Sequence, residues 1–382
     1  MRRLLALVSA VIFVDAMLFT ALTPLVPDYA DEFDLSKTGA GLLLGAFGAG
    51  ALLGGVPGGL AAARLGPRTA VVGGLVLLGI ASFAFAAADT AATLGIARFV
   101  QGFSSTTTWA GALAWITVAA PASRRGEVIG TAFGVAVFGA IIGPMFGGVA
   151  EAVGIQLAFA TLGVVALCFA GLALLPRSSD CEPLTRSGLT RAFSDTRFLG
   201  GLWLNTLPAL LFGTLAVLAP LALDDAGWTT LAIGSVFFAA GLLEVVISPL
   251  LGRASDRRGR LLPIRAALSA SIVVAALLAL ASQPAAIAVL VGAAALSFGG
   301  FYAPGMALTS HRAETAGLAQ GLAFGIMNSA WALGNMTGPV AGGALASAFG
   351  DAAPYLLGAG LCALTLLATQ RVVDRGVRTR EA

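Results

Sequence analysis

Two acids and one arginine stand inside long apolar runs, where an ionised group is expensive. Asp15 lies in the run from about residue 4 to 27, Arg98 near the start of the run at 91–119, and Glu244 in the run at 229–251. A charge at the centre of a bilayer costs roughly 2.5 kcal/mol or more, so such residues mark ion or substrate paths. Asp15 is twelve residues past Arg3, about 18 Å along a helix. Arg98 is nine residues past Asp89, about 13 Å in from the opposite side. In a hydrocarbon core of roughly 30 Å the two reach nearly the same depth, which makes Asp15 the expected partner of Arg98. Burial favours the neutral acid and a neighbouring arginine favours the carboxylate. A carboxyl balanced between them can load and release a proton. Glu244, about 12 Å from the end of its own run, could carry a second proton, meet a cationic substrate or face a helix end.

Other polar and aromatic residues in these runs are candidates to line a cavity: Gln101, Trp109, Trp115, Asn205, Tyr302, Asn328, Trp331 and Asn335. Such a set, with few charges, favours an amphipathic or lipophilic ligand over a sugar or a polyanion. The lone histidine, His311, lies in a loop. No phosphate-cradling Gly-Lys loop is present, so ATP-driven transport and enzyme chemistry are not expected. No metal or other cofactor is expected either.

Two patterns occur twice. Gly59, Arg64, Gly66 and Arg68 follow the second apolar run. Gly252, Asp256, Arg257, Gly259 and Arg260 follow the eighth, offset by 193. Gly139, Gly143, Pro144, Gly147 and Gly148 lie in the fifth run, and Gly334, Gly338, Pro339, Gly342 and Gly343 in the eleventh, offset by 195. Matching offsets at matching places argue for duplication.

These residues resemble the major facilitator superfamily, and the resemblance covers the whole chain. The family pattern G-x-x-x-D-R-x-G-R is complete in the second copy of the loop motif. In the first copy Ala63 stands in place of the aspartate and Pro67 in place of an arginine. The resemblance implies a gating role for both loops. Arg98-Phe-Val-Gln-Gly102 resembles the family's R-x-x-Q-G motif, which implies proton coupling. Gly139 to Gly148 resembles its antiporter motif, which implies export of the twelve-helix drug:proton type. Physically, the last pattern specifies a bent, tightly packed helix, because proline removes a donor and glycines let backbones meet.

The elements that must hold these residues follow from composition. Of 382 residues, 58% are apolar and 11% charged, against about 25% charged in soluble domains. The runs at about 4–27, 38–63, 69–88, 91–119, 124–149, 155–175, 199–223, 229–251, 261–281, 284–309, 317–348 and 352–371 are long enough to cross a bilayer as helices. They are apolar on all sides, unlike the alternating strands of a barrel. The expected fold is therefore an all-α integral membrane protein with twelve transmembrane helices in two pseudo-symmetric six-helix halves. Residues 1–175 form the first half, 176–198 a linker, 199–371 the second half and 372–382 a tail.

Placing the amino terminus in the cytoplasm puts 20 of the 22 basic residues on the inner side, leaving Lys37 outside and Arg98 within a run. That bias predicts a protein of the cell membrane with both termini in the cytoplasm. It also explains the net charge of +3 without nucleic acid. The sequence thus predicts a monomeric secondary transporter whose partners are a small molecule, protons and lipid. Its expected work is proton-coupled efflux of amphipathic or lipophilic compounds. A nutrient symporter or uniporter, or a lipid or lysolipid flippase, are the alternatives.

Overall fold

The computed structural model describes residues 2–120, 125–175, 189–258, 261–318 and 320–378. Every regular element among them is helical. Helix α1 (Arg2–Ala21) leads through a 3-10 turn at Thr23–Leu25 into the short α2 (Val26–Glu32). Then come α3 (Lys37–Arg64), α4 (Pro67–Ala86), α5 (Ala91–Ala119), α6 (Arg125–Val153) and α7 (Ile155–Ala173). A six-residue helix, α8 (Leu189–Ser194), precedes α9 (Thr196–Asp224), α10 (Thr230–Arg258) and α11 (Leu261–Leu280). The chain ends with α12 (Pro284–Gly299), α13 (Tyr302–Thr315), α14 (Gln320–Phe349) and α15 (Ala352–Arg378).

A helix lies in each of the twelve apolar runs, with four adjustments. The first run is not one helix: Pro24 and Pro27 lack N–H donors, and the chain tightens into the 3-10 turn before restarting as α2. The tenth run breaks between Gly299 and Tyr302. The linker at 176–198 contains α8, whose Phe193 meets Phe198 of α9 edge to face with ring centroids 5.8 Å apart. His311 is in α13 rather than in a loop.

Nine helical stretches among the described residues are long and apolar enough to cross a membrane. Helices α5, α10 and α14 fall outside that set. α5 does so because it concentrates polar groups: Arg98, Gln101 and the run Ser104 to Thr108 are all buried in it.

The packing pattern recurs. α1 packs on α6, α3 on α5 and α4 on α7, and six long helices later α9 packs on α14, α10 on α12 and α11 on α15. Two further contacts, α3 on α14 and α6 on α10, join helices α1–α7 to helices α9–α15. The turn glycines recur too. Gly154 and Gly350 follow α6 and α14 with φ of 101° and 84°, a backbone that L side chains rarely adopt.

Candidate functional site

Arg98 and Asp15 are both buried, at 1% and 2% exposure, but they are not bonded to each other. The guanidinium of Arg98 donates to the carbonyls of Leu18 at 3.3 Å and Phe19 at 3.1 Å, and to Gln101 Oε1 at 3.1 Å. It also lies over the Phe47 ring, 4.8 Å from the centroid. Leu18 and Phe19 belong to the last turn of α1, whose carbonyls lose their helical donors and carry the negative end of the helix dipole. Arg98 therefore caps the end of α1, just before the break at Pro24. The expected Asp15–Arg98 pair is replaced by an arginine bound to helix carbonyls.

The Asp15 carboxylate has other partners. Ser105 donates to Oδ2 at 2.7 Å and the Trp109 indole at 2.8 Å. The second oxygen, Oδ1, is buried without a hydrogen-bond partner. One oxygen is thus held by two neutral donors on α5, and the other has capacity to spare. That is the arrangement a proton-accepting group needs.

The other candidates separate by exposure. Gln101 is fully buried between Arg98 and Ser82. Asn205 is 1% exposed and donates to the Gly201 carbonyl and Thr309 Oγ1, tying α9 to α13. Trp115 is also in the core. In this conformation all three are packed away from any open surface. Trp109, Tyr302, Asn328 and Trp331 are partly exposed. Trp331 meets Phe19, with ring centroids 5.1 Å apart, and Phe19 meets Phe47 at 4.9 Å. A chain of rings therefore runs from Arg98 on α5, through α3 and α1, to Trp331 on α14. Phe19 and Phe47 were not singled out from the sequence, where nothing distinguishes them from other apolar-run phenylalanines. Ser105 is not singled out from the sequence either, although it sits in a visible polar run, Ser104 to Thr108, that could point to it.

The duplicated glycine motif is placed in matching ways. On α6, a Cβ on Gly139, Gly143 or Gly147 would strike the α1 backbone at Phe13, Met17 and Ala21. On α14, a Cβ on Gly334, Gly338 or Gly342 would strike α9 at Thr206, Leu210 and Thr214. The last glycines reach across. Gly148 faces Thr230 and Leu231 of α10, and Gly343 faces Lys37 and Thr38 of α3. The proline carbonyls do the same, Pro144 against Gly234 and Pro339 against Gly41. Helix contact this close is possible only where no side chain intervenes. The copy in α14 is therefore half of a working interface.

Polar bonds reinforce the same face. Lys37 bonds Asp351 at 2.7 Å, Thr38 bonds Ser347 at 3.0 Å, and Thr230 donates to Asp28 at 3.2 Å. The closeness ends part-way along the helices, at Gly48 against Asn335 and Gly241 against Ile141, with Gly55 near Ser329 beyond.

In the first loop motif, Gly66 adopts φ 94° as the N-cap of α4 and Pro67 is its first residue. Proline suits that position because its fixed φ is helical and its missing N–H would be unpaired anyway. This explains the departure at Pro67. Gly59 has open space around it. Arg64 is exposed, Arg68 half-buried. In the second copy, Gly252, Asp256 and Arg257 fall within the end of α10, their side chains outside the described set. Gly259 and Arg260 lie outside the described residues.

The family model for the Major Facilitator Superfamily matches residues 8–324. The chain belongs to the major facilitator superfamily. It is a multi-pass membrane transporter and not an enzyme. Multidrug resistance protein 1 of Bacillus subtilis is 26% identical over 331 residues, covering 84% of each chain. The MFS-type transporter ppzB of Metarhizium rileyi is 30% identical over 168 residues, 42% of this chain. That match spans only 35% of the Metarhizium protein, about a third of its length. Quinolone resistance protein NorA of Staphylococcus aureus is 26% identical over 144 residues, covering 38% of this chain and 37% of NorA.

Among solved structures, an inward-facing, unoccupied bacterial homolog of the human lysosomal transporter Spinster superposes with a TM-score of 0.74 at 16% identity, covering 96% and 93% of the two chains. The nucleoside transporter NupG gives 0.76 at 13%, covering 96% and 99%. At these identities the likeness is one of fold. Membership in the superfamily gives Asp15 and the glycine motifs their setting, a membrane transporter.

Proposed function

We propose that this transporter exports small amphipathic or lipophilic organic molecules in exchange for protons. It would do so with twelve spans arranged as two six-helix halves, in the cell membrane, with both termini cytoplasmic. The recurring packing of α1–α7 and α9–α15 supports the two halves. The arginine bias supports the orientation. On this reading Lys37 and Asp351 are outside, the closed face is the outer one, and the described conformation is open toward the cytoplasm. The halves would rock around a midplane site.

The observation that carries the coupling is Asp15, deep in α1, with Oδ1 buried and unpartnered and Oδ2 held by Ser105 and Trp109. Protonation at Oδ1 removes a buried charge without breaking either bond. Arg98, sharing α1 with Asp15, would sense the same helix through the carbonyls of Leu18 and Phe19. The export direction is supported by relatives named for multidrug and quinolone resistance, and the apolar character of the cargo by the aromatic and uncharged polar residues of the apolar runs. Asp256 would add a cytoplasmic latch in the second loop motif, where Ala63 leaves the first without one.

The test is substrate-induced proton flux in proteoliposomes across a compound library, repeated with Asp15→Asn. The amide keeps the volume and loses the titratable proton, so coupling should vanish while substrate still binds. Proton-driven uptake of a nutrient, or activity on acyl-chain lipids only, would replace the export reading. Unchanged coupling in Asp15→Asn would remove that residue from the mechanism.

A further inference from the structure

Helices α1–α7 and α9–α15 meet on the closed face along two seams, and the offset of 193 relates them. It takes Lys37, the first residue of α3, to Thr230, the first residue of α10. Each bonds an aspartate of the other group. Lys37 bonds Asp351, and the Thr230 hydroxyl donates to the Asp28 carboxylate at 3.2 Å. In one seam the acid meets a cation, and in the other it meets a neutral hydroxyl.

Asp28 is half-buried on α2. Among the described residues the charges that act on it are all acids: Glu151 near the end of α6, Asp224 at the end of α9, and Asp31 of α2 itself. Asp224 in turn has Asp31 and Asp225 beside it, and Glu32 is exposed on α2. Helix α3 also packs on α2, but its Lys37 is taken by Asp351. Glu244, further along α10 against Gly299, lies away from this seam. Asp28, Asp31 and Glu151 come from one group of helices, Asp224 and Asp225 from the other. Their repulsion therefore acts across the seam and opposes its closure. Separation puts the acids in water, where a high dielectric weakens that repulsion.

A proton on Asp28 removes its share of that repulsion. Thr230 can still donate, because a neutral carboxyl keeps an acceptor oxygen. The proton is thus held more tightly with the seam closed than with it open, and a ligand that prefers one state shifts the equilibrium toward it. In the Lys37 seam the acid is already compensated. We propose that the Asp28 seam is a proton-operated latch of the outer gate: protons from outside neutralise it and close the outer face, and its ionised acids favour opening. This rests on the orientation in the proposed function, which puts α2 outside, and not on the cargo. It gives the external proton a second point of action, apart from Asp15.

Spin-label distances between the outer ends of α2 and α10, in the full-length protein in nanodiscs, test the latch. Lowering the pH from about 7.5 to about 4.5, toward the carboxylate range, should raise the closed-to-open ratio about five-fold, the equivalent of about 1 kcal/mol. Asp28→Asn should be closed at both pH values and lose the response. Thr230→Val should be more open at both and keep it, so a merely structural Asp28 would behave like Thr230→Val and sink the latch. Should Asp28→Asn fail to fold, Asp224→Asn should close the seam at neutral pH and weaken the response. The proposal is overturned if the seam opens on acidification, if Asp28→Asn responds like the wild type, or if Asp15→Asn abolishes the response, which would assign it to Asp15. Acidifying one side of proteoliposomes separates this claim from the orientation. A response only to the side that holds the termini sinks the orientation and the external proton with it. No response from either side, with proton flux intact, sinks the latch alone.

Discussion

The Thr20 hydroxyl donates to the carbonyl of Ala140 at 2.8 Å, and that carbonyl is the one Pro144 leaves without a helical donor. Proline at position i removes the N–H that would bond the carbonyl at i−4. A hydroxyl from α1 fills the gap in α6, in the same stretch where Gly143 lies against Thr20. The proline site in α6 and its contact with α1 are therefore a single feature. The matching contact between α9 and α14 is built differently. There the offset of 193 gives Gly213, which packs under the Pro339 ring.

Thr20→Val keeps the shape and removes the donor. It should destabilise the purified protein by about 1–3 kcal/mol, the cost of stranding a buried acceptor. Thr20→Ser should recover most of the loss. Thermal unfolding in detergent, with all three proteins at one lipid content, checks this. Equal midpoints for the wild type and the Thr20→Val variant would show that water or helix adjustment satisfies Ala140.

The mirror-related glycines should respond alike to a methyl group. A Cβ on Gly41 meets the Pro339 carbonyl, and one on Gly234 meets the Pro144 carbonyl. Neither neighbour is a flexible side chain, so backbone must move. On the proposed two-half, termini-inside arrangement, Gly41→Ala and Gly234→Ala should each separate the outer ends of the halves and populate an outward-open state. Spin-label distances across the outer face read this directly. Gly73→Ala, which meets nothing within 4 Å, is the control. Opening by one variant and not by the other would show that the two contacts are not equivalent.

Arg98→Lys tests the capping role. The guanidinium spans the Leu18 and Phe19 carbonyls while keeping a bond to Gln101. An ammonium is a compact point charge and cannot cover that set or stack as a plane on Phe47. Losing a charge-assisted bond costs about 1.5–3 kcal/mol, so the lysine variant should unfold earlier despite its retained charge. Its Asp15-dependent proton flux should fall as well, since α1 is no longer held. A lysine variant with wild-type stability would return Arg98 to the role of a simple charge.

Hydropathy made most helical stretches legible because nine of them, among the described residues, are long and apolar enough to cross a membrane. It could not show the breaks at Pro24–Pro27 and Gly299–Gly300, since a bent helix and a straight one have the same hydropathy. Counting residues placed Asp15 and Arg98 at similar depths, and both are buried. Depth along an axis says nothing about direction around it, so the partners were missed. Arg98 took the carbonyls at the end of α1, and Asp15 took Ser105 and Trp109. The glycine repeat was readable as a repeat, but its use was not. Only the packing reveals that each copy grips one neighbouring helix with three glycines and reaches across to another group of helices with the fourth. Gln101 and Asn205 were chosen as ligand contacts because they are polar in apolar runs. In this conformation both hydrogen-bond neighbouring groups, as buried amides commonly do.

The ionic contact between Lys37 and Asp351 should be a weak outer latch whose sign can be reversed. Both side chains are partly exposed, at 33% and 48%. Water and salt therefore screen the pair, and exposed bridges contribute about 0.2–1 kcal/mol. That is too little to hold the halves together alone, but enough to bias two conformers several-fold. Lys37→Asp places two acids face to face and should raise the outward-open fraction. Adding Asp351→Lys to it restores an opposite pair and should bring the fraction back. The effect of the single variant should shrink as ionic strength rises, because the Debye length falls from about 10 Å at 0.1 M to 3 Å at 1 M. Distances between spin labels at the outer ends of α3 and α14 measure all of these states. If the double exchange fails to restore the closed distance while the single variant opens it, Lys37 acts through its contact with α14 rather than through its charge.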